Sequence, residues 1–502
     1  MALIAIMLGS LMVGFDGTIV SVANPQIAAK LHTSLGQLQW ISNAYLLATA
    51  ASLVLAGKLG DRFGRKLIFI IAVLSFAFSS LAIGLSEAVD LIIGFRVIQG
   101  IFGALILTNA MSLIRVVFPP EKLAAGVGVF SSANGLSVAV GPILGGIIVQ
   151  KLGWEWAFFI NTPIGFISAV LGIFLLLESK VHTAVRFDIG GVLLLSGTLI
   201  ALSYAIIRAP SNGWGSTSTL ILMAVSLVLL IGFILVEMRA KDPLLPLSLF
   251  SNRSISIGVI MTVLVMFALM GSLFFVMLYL QKVQGISPFS AGLRILPLGL
   301  GLLISAIASV PLIKRNGPRV PLTGGMIIMA AGLFIATFTA SDSSYMILAI
   351  ALSVLGIGLG VVIPASTDAI VGAATIEQVG AASGVQQTAN QVGGVLGISI
   401  LGAVMSSVSQ NTFQKYLIDA HLPKQLIDSI VKQGGAAISQ GIATIPINTS
   451  SDFAVSIQQG TKFAFMSGMH AAMMSGVIIS IIGACGAFFI TRSGPDGLEQ
   501  EQ

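Results

Sequence analysis

The sequence predicts an all-α polytopic membrane protein that crosses the bilayer about fourteen times. Of its 502 residues, 56% are hydrophobic and only 9% are charged, which is more apolar surface than a soluble domain needs. Apolar runs of about 20 residues, the length that spans a bilayer as a helix, recur along nearly the whole chain. The runs lack the alternation of a membrane β-barrel, so that architecture is excluded.

The expected helices follow these runs in order. They fall at roughly 3–23, 38–56, 67–85, 91–113, 124–149, 157–177, 188–208, 218–237, 255–280, 289–311, 319–339, 345–367, 381–406 and 464–491. The segment 408–463 is too long for a simple connector, and its apolar residues from Phe413 to Ile430 recur at nearly helical spacing. We expect a short amphipathic helix or helical hairpin there, either capping the mouth of a path or lying passively outside.

The charges orient the chain and exclude several functions. The formal net charge is +6, but most lysines and arginines lie in short loops on the side of residues 57–66. That bias predicts cytoplasmic termini and disfavours nucleic-acid binding. The single Cys485 excludes an intramolecular disulfide, and the chain contains no P-loop or metal-spaced Cys/His group. We therefore expect no enzyme activity, no metal and no direct use of ATP.

The loop at 57–66 reads Gly-Lys-Leu-Gly-Asp-Arg-Phe-Gly-Arg-Lys. Its glycines allow two helices to come close, and Asp61 can accept hydrogen bonds from a helix end or from arginines. A basic loop with no further role would explain the charges but not this spacing. The residues expected to act in conformational gating here are Gly57, Asp61, Arg62, Gly64 and Arg65.

Asp16 is the only carboxylate in the middle of an expected spanning helix, and such an acid is a candidate functional group. It lies about 9–13 Å below the outer end of its helix at 1.5 Å per residue. Arg96 of the fourth helix has a similar depth, so the two can meet. Burial favours the neutral acid and Arg96 favours the carboxylate, so protonation can respond to substrate or conformation. The alternative is a structural ion pair that never titrates.

The fifth helix carries Gly141, Pro142, Gly145 and Gly146, which permit close helix packing and a kink. At an offset of roughly 255, Ser131–Asn134 and these glycines are echoed by Gln386–Asn390 followed by Gly393, Gly394 and Gly397. Two six-helix halves with two helices inserted between them would produce that offset, although chance similarity among glycine-rich helices is the alternative.

Softer candidates for a substrate path are adaptable thioether, aromatic and amide side chains, for which lipid contact or core packing is the alternative. They are Trp40, Asn43, Tyr45, Gln99, Met266, Met270, Phe274, Gln387 and Asn390.

Four local strings resemble those of the fourteen-helix drug:proton antiporters of the major facilitator superfamily, of the EmrB/QacA type. They are Asp16–Val20 through Pro25, the 57–66 loop, Arg96–Gly100, and the G-P-x-x-G-G string at 141–146. The string at 154–165 resembles a fifth. In departure from the family pattern, Glu155 replaces the usual arginine and Thr108-Asn109 replaces a common proline. The second half also lacks the membrane carboxylates of some relatives, which puts recognition of dications in doubt.

The resemblance implies a major facilitator fold with six-helix bundles at 1–177 and 254–502 and two inserted helices within 178–253. It implies a proton-linked role for Asp16 with Arg96, gating by Asp61, Arg62 and Arg65, and closure by the helix 5 glycines. The expected protein is a monomeric, proton-coupled exporter of hydrophobic or cationic drugs in the bacterial cytoplasmic membrane. Its expected partners are protons, lipid and a small amphipathic substrate, and it needs no cofactor. The alternatives are export of a native lipid, siderophore or metabolite, and a non-transporting lipid-binding scaffold.

Overall fold

The computed structural model describes residues 2–180, 188–240, 243, 245–375, 378–427, 430, 437–442 and 451–490. All regular secondary structure in these ranges is helical. The α-helices are α1 (Ala2–Leu31), α2 (Leu35–Phe63), α3 (Arg65–Gly84), α4 (Val89–Val117), α5 (Pro120–Leu152), α6 (Trp156–Phe159), α7 (Asn161–Leu175), α8 (Ile189–Asn212), α9 (Thr217–Arg239), α10 (Arg253–Leu278), α11 (Pro288–Arg294), α12 (Leu296–Asn316), α13 (Arg319–Ala336), α14 (Tyr345–Thr367), α15 (Val379–Asp419) and α16 (Ser451–Ala487). One 3-10 turn at Leu247–Ser251 precedes α10, and single π-helical turns end α10 and α14.

The number of spans agrees with the expectation. Within the described ranges, twelve helical segments are long and apolar enough to cross a membrane, and α2, bent by 53°, makes a thirteenth. Helix α5 runs over 33 residues and contains a shorter apolar segment, Val140–Leu152. The prediction of an all-α protein with about fourteen spans is therefore confirmed.

Several helices extend beyond their expected ends because their apolar faces continue into packed structure. Helix α1 passes through Pro25 to Leu31, and its Ile27 is fully buried. Helix α15 continues to Asp419 and α16 starts at Ser451, so much of the expected 408–463 loop is helical. Phe413 of α15 and Ile457 of α16 are buried in one apolar cluster, which holds the two extensions together. Parts of 178–253 and 408–463 lie outside the described residues.

Helix packing follows the same pattern in the first and second halves of the chain. In the first half, α1 packs on α5, α2 on α4, and α3 on both α4 and α7. In the second half, α10 packs on α15, α12 on α14, and α13 on both α14 and α16. Helices α8 and α9 pair with each other, and α8 also packs against α2 and α15, one helix from each half. The side chains of Ser131–Asn134, part of the sequence echo, lie outside the described residues.

The two halves meet at the end of the molecule opposite residues 57–66, which we call the far end. On one side, Gln39 Nε2 donates to Ile398 O at 2.6 Å, and Asn43 Nδ2 donates to Ser399 Oγ at 2.8 Å. On the other side, Phe289 N donates to Gln150 Oε1 at 3.2 Å. These bonds join α2 to α15 and α5 to α11, so the structure is closed between the halves at the far end.

A short segment at 437–442 covers part of this closure. Gln440 is buried, and its Nε2 donates to Thr33 O in the α1–α2 connection at 2.9 Å. The segment belongs to the second half, whereas Thr33 belongs to the first. The chain between α15 and α16 therefore reaches across both halves at the far end.

Candidate functional site

The Asp16 carboxylate is completely buried and is bound by side chains from two other helices. Arg96 of α4 forms an ion pair with Asp16 Oδ2. Oδ1 accepts hydrogen bonds from Gln99 Nε2 of α4 at 3.0 Å and from Asn161 Nδ2 of α7 at 3.3 Å. A buried charge is tolerated only when it is paired and hydrogen-bonded, and this carboxylate has three donors.

Arg96 is only 2% exposed and is held from several directions. Its Nε donates to Ile41 O of α2 at 3.0 Å, and its Nη1 donates to Gln99 Oε1 at 2.6 Å as well as to Asp16. The guanidinium carbon lies 4.3 Å from the centre of the Tyr45 ring, a cation–π geometry. These contacts place one cation at the junction of α1, α2 and α4.

Ser80 and Asn161 complete the polar cluster, and sequence reasoning assigned neither of them a role. Ser80 Oγ of α3 accepts hydrogen bonds from Asn161 Nδ2 at 3.1 Å and from Gln99 Nε2. The sequence did contain a sign of Asn161, because it is an amide within an expected apolar helix and within the 154–165 string. Ser80 offered none, since serines are common in spanning helices.

The position of Asn161 depends on a break between two helices. Helix α6 ends at Phe159, and Asn161 is the first residue of α7, 1% exposed and directed into the bundle. Trp154 packs against Phe158 in an edge-to-face contact with ring centres 6.1 Å apart, which anchors the short α6. At the surface nearby lies Glu155, which replaces the usual arginine of the family pattern and forms an ion pair with Lys30. Lys30 is largely exposed, so this ion pair contributes little stability.

Beside Arg96 lies a small cavity where the two halves meet. Three of the expected substrate-path residues line it, namely Tyr45, Met270 and Phe274. The remaining lining residues are Gly17, Val20, Ser21, Ser42, Leu46, Arg96, Leu273 and Ile398. Arg96 is thus common to this cavity and to the Asp16 cluster, whereas Asp16 is not part of the cavity wall.

The other expected path residues lie outside that wall. Trp40 packs against Tyr204 of α8 with ring centres 6.0 Å apart, Asn43 forms the bond to α15, and Met266 contacts Gly393. Gln99 belongs to the Asp16 cluster. Asn390 Nδ2 donates to Gln387 Oε1 at 2.7 Å. By helical periodicity, both lie on the side of α15 that carries Ile398, toward the end with residues 57–66.

The expectation of a loop at 57–66 is wrong, because α2 continues to Phe63 and α3 begins at Arg65. Only Gly64 is outside the helices, and the tight turn there is stabilised from two directions. Asp61 Oδ1 accepts hydrogen bonds from Arg65 Nε at 3.0 Å and Nη2 at 2.8 Å. Gly64 has a φ of +111°, where other residues are strained. The Glu178 carboxylate accepts from the backbone N–H groups of Lys66 at 3.1 Å and Leu67 at 3.2 Å, which caps α3. Sequence reasoning did not find this contact, which comes from the segment that follows α7.

Glycines in α2 face α4 next to this turn. A Cβ on Gly57 would lie 3.3 Å from the Thr108 methyl, and one on Gly60 would lie 1.8 Å from Asn109 Oδ1. Asn109 Nδ2 donates to Leu105 O at 2.8 Å and to Ala56 O at 3.3 Å. The Thr108-Asn109 pair therefore fills the space that the glycines leave between α2 and α4.

The G-P-x-x-G-G string of α5 contacts both halves. Gly141 packs on Thr18 and Gly145 on Ile19, both in α1. A Cβ on Gly146 would lie 2.5 Å from Pro288 O in the second half. In turn, a Cβ on Gly292 of α11 would lie 2.2 Å from Pro142 O, so the string and α11 approach each other at backbone distance.

Comparison with known proteins agrees with this architecture. The family model described as Major Facilitator Superfamily matches residues 6–398. The chain belongs to the Major Facilitator Superfamily. Its members are transporters of small molecules, and this protein is a multi-span member of that superfamily.

Similar superfamily members include the tetracenomycin C resistance and export protein of Streptomyces glaucescens, which is 41% identical over 100% of this chain and 93% of its own. The multidrug transporter protein MdtP of Bacillus subtilis is 30% identical over 95% of this chain and 90% of its own. Among solved structures, a bacterial homologue of the human lysosomal transporter Spinster superposes with a TM-score of 0.69. It has 16% identity and covers 97% of this chain and 96% of its own.

Proposed function

We propose that this protein is a proton-coupled secondary active exporter of amphipathic drug-like compounds. The observation that carries the proposal is the sharing of Arg96 between the buried Asp16 cluster and the cavity between the halves. A site that binds substrate and a site that binds a proton must influence each other for exchange to occur. The similarity to a resistance and export protein of Streptomyces glaucescens and to a multidrug transporter of Bacillus subtilis supports this assignment.

Proton binding acts through Arg96 in this proposal. In the substrate-bound state, the Asp16 carboxylate is bound by its three donors. Protonation removes the charge that holds Arg96 Nη1, so the guanidinium loses one of its fixed partners. The cavity then changes shape and releases its substrate on the other side. The inward proton gradient supplies the free energy.

Alternating access requires the two halves to move as bodies. We assign these bodies to residues 1–177 and 254–502, with the inserted helices of 178–253 resting on α2 and α15. The far end, closed by Gln39, Asn43 and Gln150, is then the extracytoplasmic side, and both termini are cytoplasmic.

The residues 57–66 and the α5 glycines control opening and closing of the two halves. The transporter works as a monomer in the bacterial cytoplasmic membrane and needs no cofactor.

Flux in proteoliposomes tests the proposal. Purified protein is reconstituted with an inward proton gradient, and export of a panel of cationic and neutral aromatic dyes is followed together with proton movement. We expect flux that stops when the gradient is collapsed and that falls at least about tenfold in Asp16→Asn, because an amide cannot exchange a proton. The matched control is Asp452→Asn, an exposed carboxylate at the start of α16.

Two outcomes contradict the proposal. One is flux that is unchanged in Asp16→Asn, which leaves the ion pair with only a structural role. The other is retained binding of lipid or dye with no flux under any gradient, which indicates a binding protein that keeps the fold. If natural lipids are exported and none of the dyes is, the protein is still an exporter, but the proposal that it exports drug-like compounds is wrong.

A further inference from the structure

One amino group of the Arg96 guanidinium, Nη2, donates no hydrogen bond within the part of the chain that the structure describes. Arginine carries five N–H donors in a rigid fork. Nε donates to Ile41 O, and Nη1 donates to Asp16 and Gln99. No described residue accepts a hydrogen bond from Nη2, although the side chain is 98% buried and lines the cavity. A donor at the wall of an apolar cavity is suited to an acceptor supplied by a ligand, because without one its hydrogen bond is not made.

The cavity around this donor has an aromatic and apolar wall. Tyr45 and Phe274 supply rings, Met270 supplies a polarisable thioether, and Leu46 and Ile398 supply aliphatic surface. Rings and thioethers bind flat apolar molecules through stacking and dispersion contacts. Besides Arg96, the polar side chains of the lining residues are those of Ser21, Ser42 and Tyr45, each of which carries a hydroxyl group.

The charge distribution at this wall disfavours a cation. Among the lining residues Arg96 is the charged one, and the carboxylate that balances it lies behind it, outside the wall. A cationic ligand would therefore meet the guanidinium at short range, while Asp16 is already bound by three protein donors. A neutral ligand with an oxygen acceptor meets neither repulsion nor an unsatisfied donor.

We propose that the preferred substrates are neutral, planar aromatic compounds whose carbonyl or hydroxyl oxygen accepts a hydrogen bond from Arg96 Nη2, and that organic cations bind poorly. This rests on the proposed exporter function and narrows its substrate class. It also explains how a substrate without charge competes with a proton. Asp16 in its charged form holds the guanidinium so that Nη2 points into the cavity. Protonation frees the guanidinium, and the substrate loses its positioned donor.

Equilibrium binding to the purified wild-type protein tests the substrate class without any variant. The probes are 1,8-dihydroxyanthraquinone, which is flat and bears carbonyl oxygens, anthracene, which has the same ring system without oxygen, and ethidium, a flat cation. We expect the quinone to bind at least about tenfold more tightly than either of the others, since a hydrogen bond to a charged donor is worth about that factor. Ethidium binding as tightly as the quinone overturns the proposal.

A variant tests the assigned atom. Arg96→Lys keeps the charge but removes Nη2, so quinone affinity should fall about tenfold while anthracene affinity stays unchanged. The matched control Phe274→Ala removes ring surface and should weaken both probes. Equal weakening of quinone and anthracene in Arg96→Lys contradicts the assignment, because it indicates that the cavity itself has collapsed.

Transport in proteoliposomes separates this inference from the function on which it rests. Proton-driven export of ethidium that depends on Asp16 leaves the exporter function intact and overturns the substrate class. Tight quinone binding with no proton-driven flux of any probe overturns the exporter function and supports the binding site.

Discussion

Asn161 Nδ2 lies 3.3 Å from Asp16 Oδ1 and donates a hydrogen bond to it, so the first residue of α7 binds the buried carboxylate of α1. The same amide donates to Ser80 Oγ of α3 at 3.1 Å. One side chain thus connects three helices around the group to which we assign proton exchange. The residue has this position because the helix breaks between Phe159 and Asn161.

The first prediction concerns this amide. Asn161→Ala removes one of three donors to a buried carboxylate, and a hydrogen bond to a charged group contributes about 1.5–3 kcal/mol. We expect substrate-induced proton release, measured with a pH indicator in detergent, to decrease about tenfold. Ser80→Ala, which leaves all three donors to Asp16 in place, should have a smaller effect. Equal effects of the two variants would indicate that the amide acts only in packing.

A second prediction concerns the closure of the far end. In Gly146→Ala, the new Cβ would lie 2.5 Å from the backbone oxygen of Pro288 in the other half. Backbone cannot yield as a flexible side chain does, so the halves should separate there. We expect greater labelling of a cysteine introduced at Gln39 by an impermeant maleimide, in a background in which Cys485 is replaced by serine. Gly324→Ala, whose Cβ would meet nothing within 4 Å, is the control and should leave labelling unchanged.

The turn at Gly64 gives a third prediction. Gly64→Ala places a side chain at a φ of +111° and within 2.6 Å of the Glu178 carboxylate. Strain of this kind costs about 1–3 kcal/mol, and the displaced cap of α3 adds to it. We expect a lower thermal unfolding midpoint. The control is Gly317→Ala, which also has a positive φ of +68° but meets nothing within 4 Å and should cost less. Equal loss in both variants would show that Glu178 contributes no clash.

A fourth prediction separates gating from binding. Asp61→Asn weakens the two bonds from Arg65, which lie within the turn and far from the cavity. We expect a changed balance between conformations, measured by distance distributions between spin labels on the two halves, with substrate affinity altered less than about twofold. Asp90→Asn in the first turn of α4 serves as the control. Loss of affinity with an unchanged distance distribution contradicts a gating role.

The contact between Gln440 and Thr33 allows a fifth prediction. Gln440→Ala removes a buried hydrogen bond between the halves at the far end, which is worth about 1 kcal/mol. The population of molecules closed at that end should decrease, as the same spin-label distances report. Gln459→Ala, an exposed amide on α16, should leave the distances unchanged. If the spin-label distances are the same in Gln440→Ala and in the wild type, this segment takes no part in closure.

The sequence by itself determined the architecture, because apolar runs of bilayer length permit few folds. The charges between the runs predict the orientation of the helices across the membrane. The sequence also identified Asp16 and Arg96 as candidate functional residues, because a charged side chain within a membrane-spanning helix is unfavourable and rare. Only the tertiary structure brought Asn161, Ser80 and Glu178 to their sites. Their chemistry is ordinary, and their roles arise from contacts between helices that are distant in sequence. Likewise, only the tertiary structure shows that Arg96 Nε and Nη1 donate to α1, α2 and α4, whereas Nη2 donates to none of the described residues.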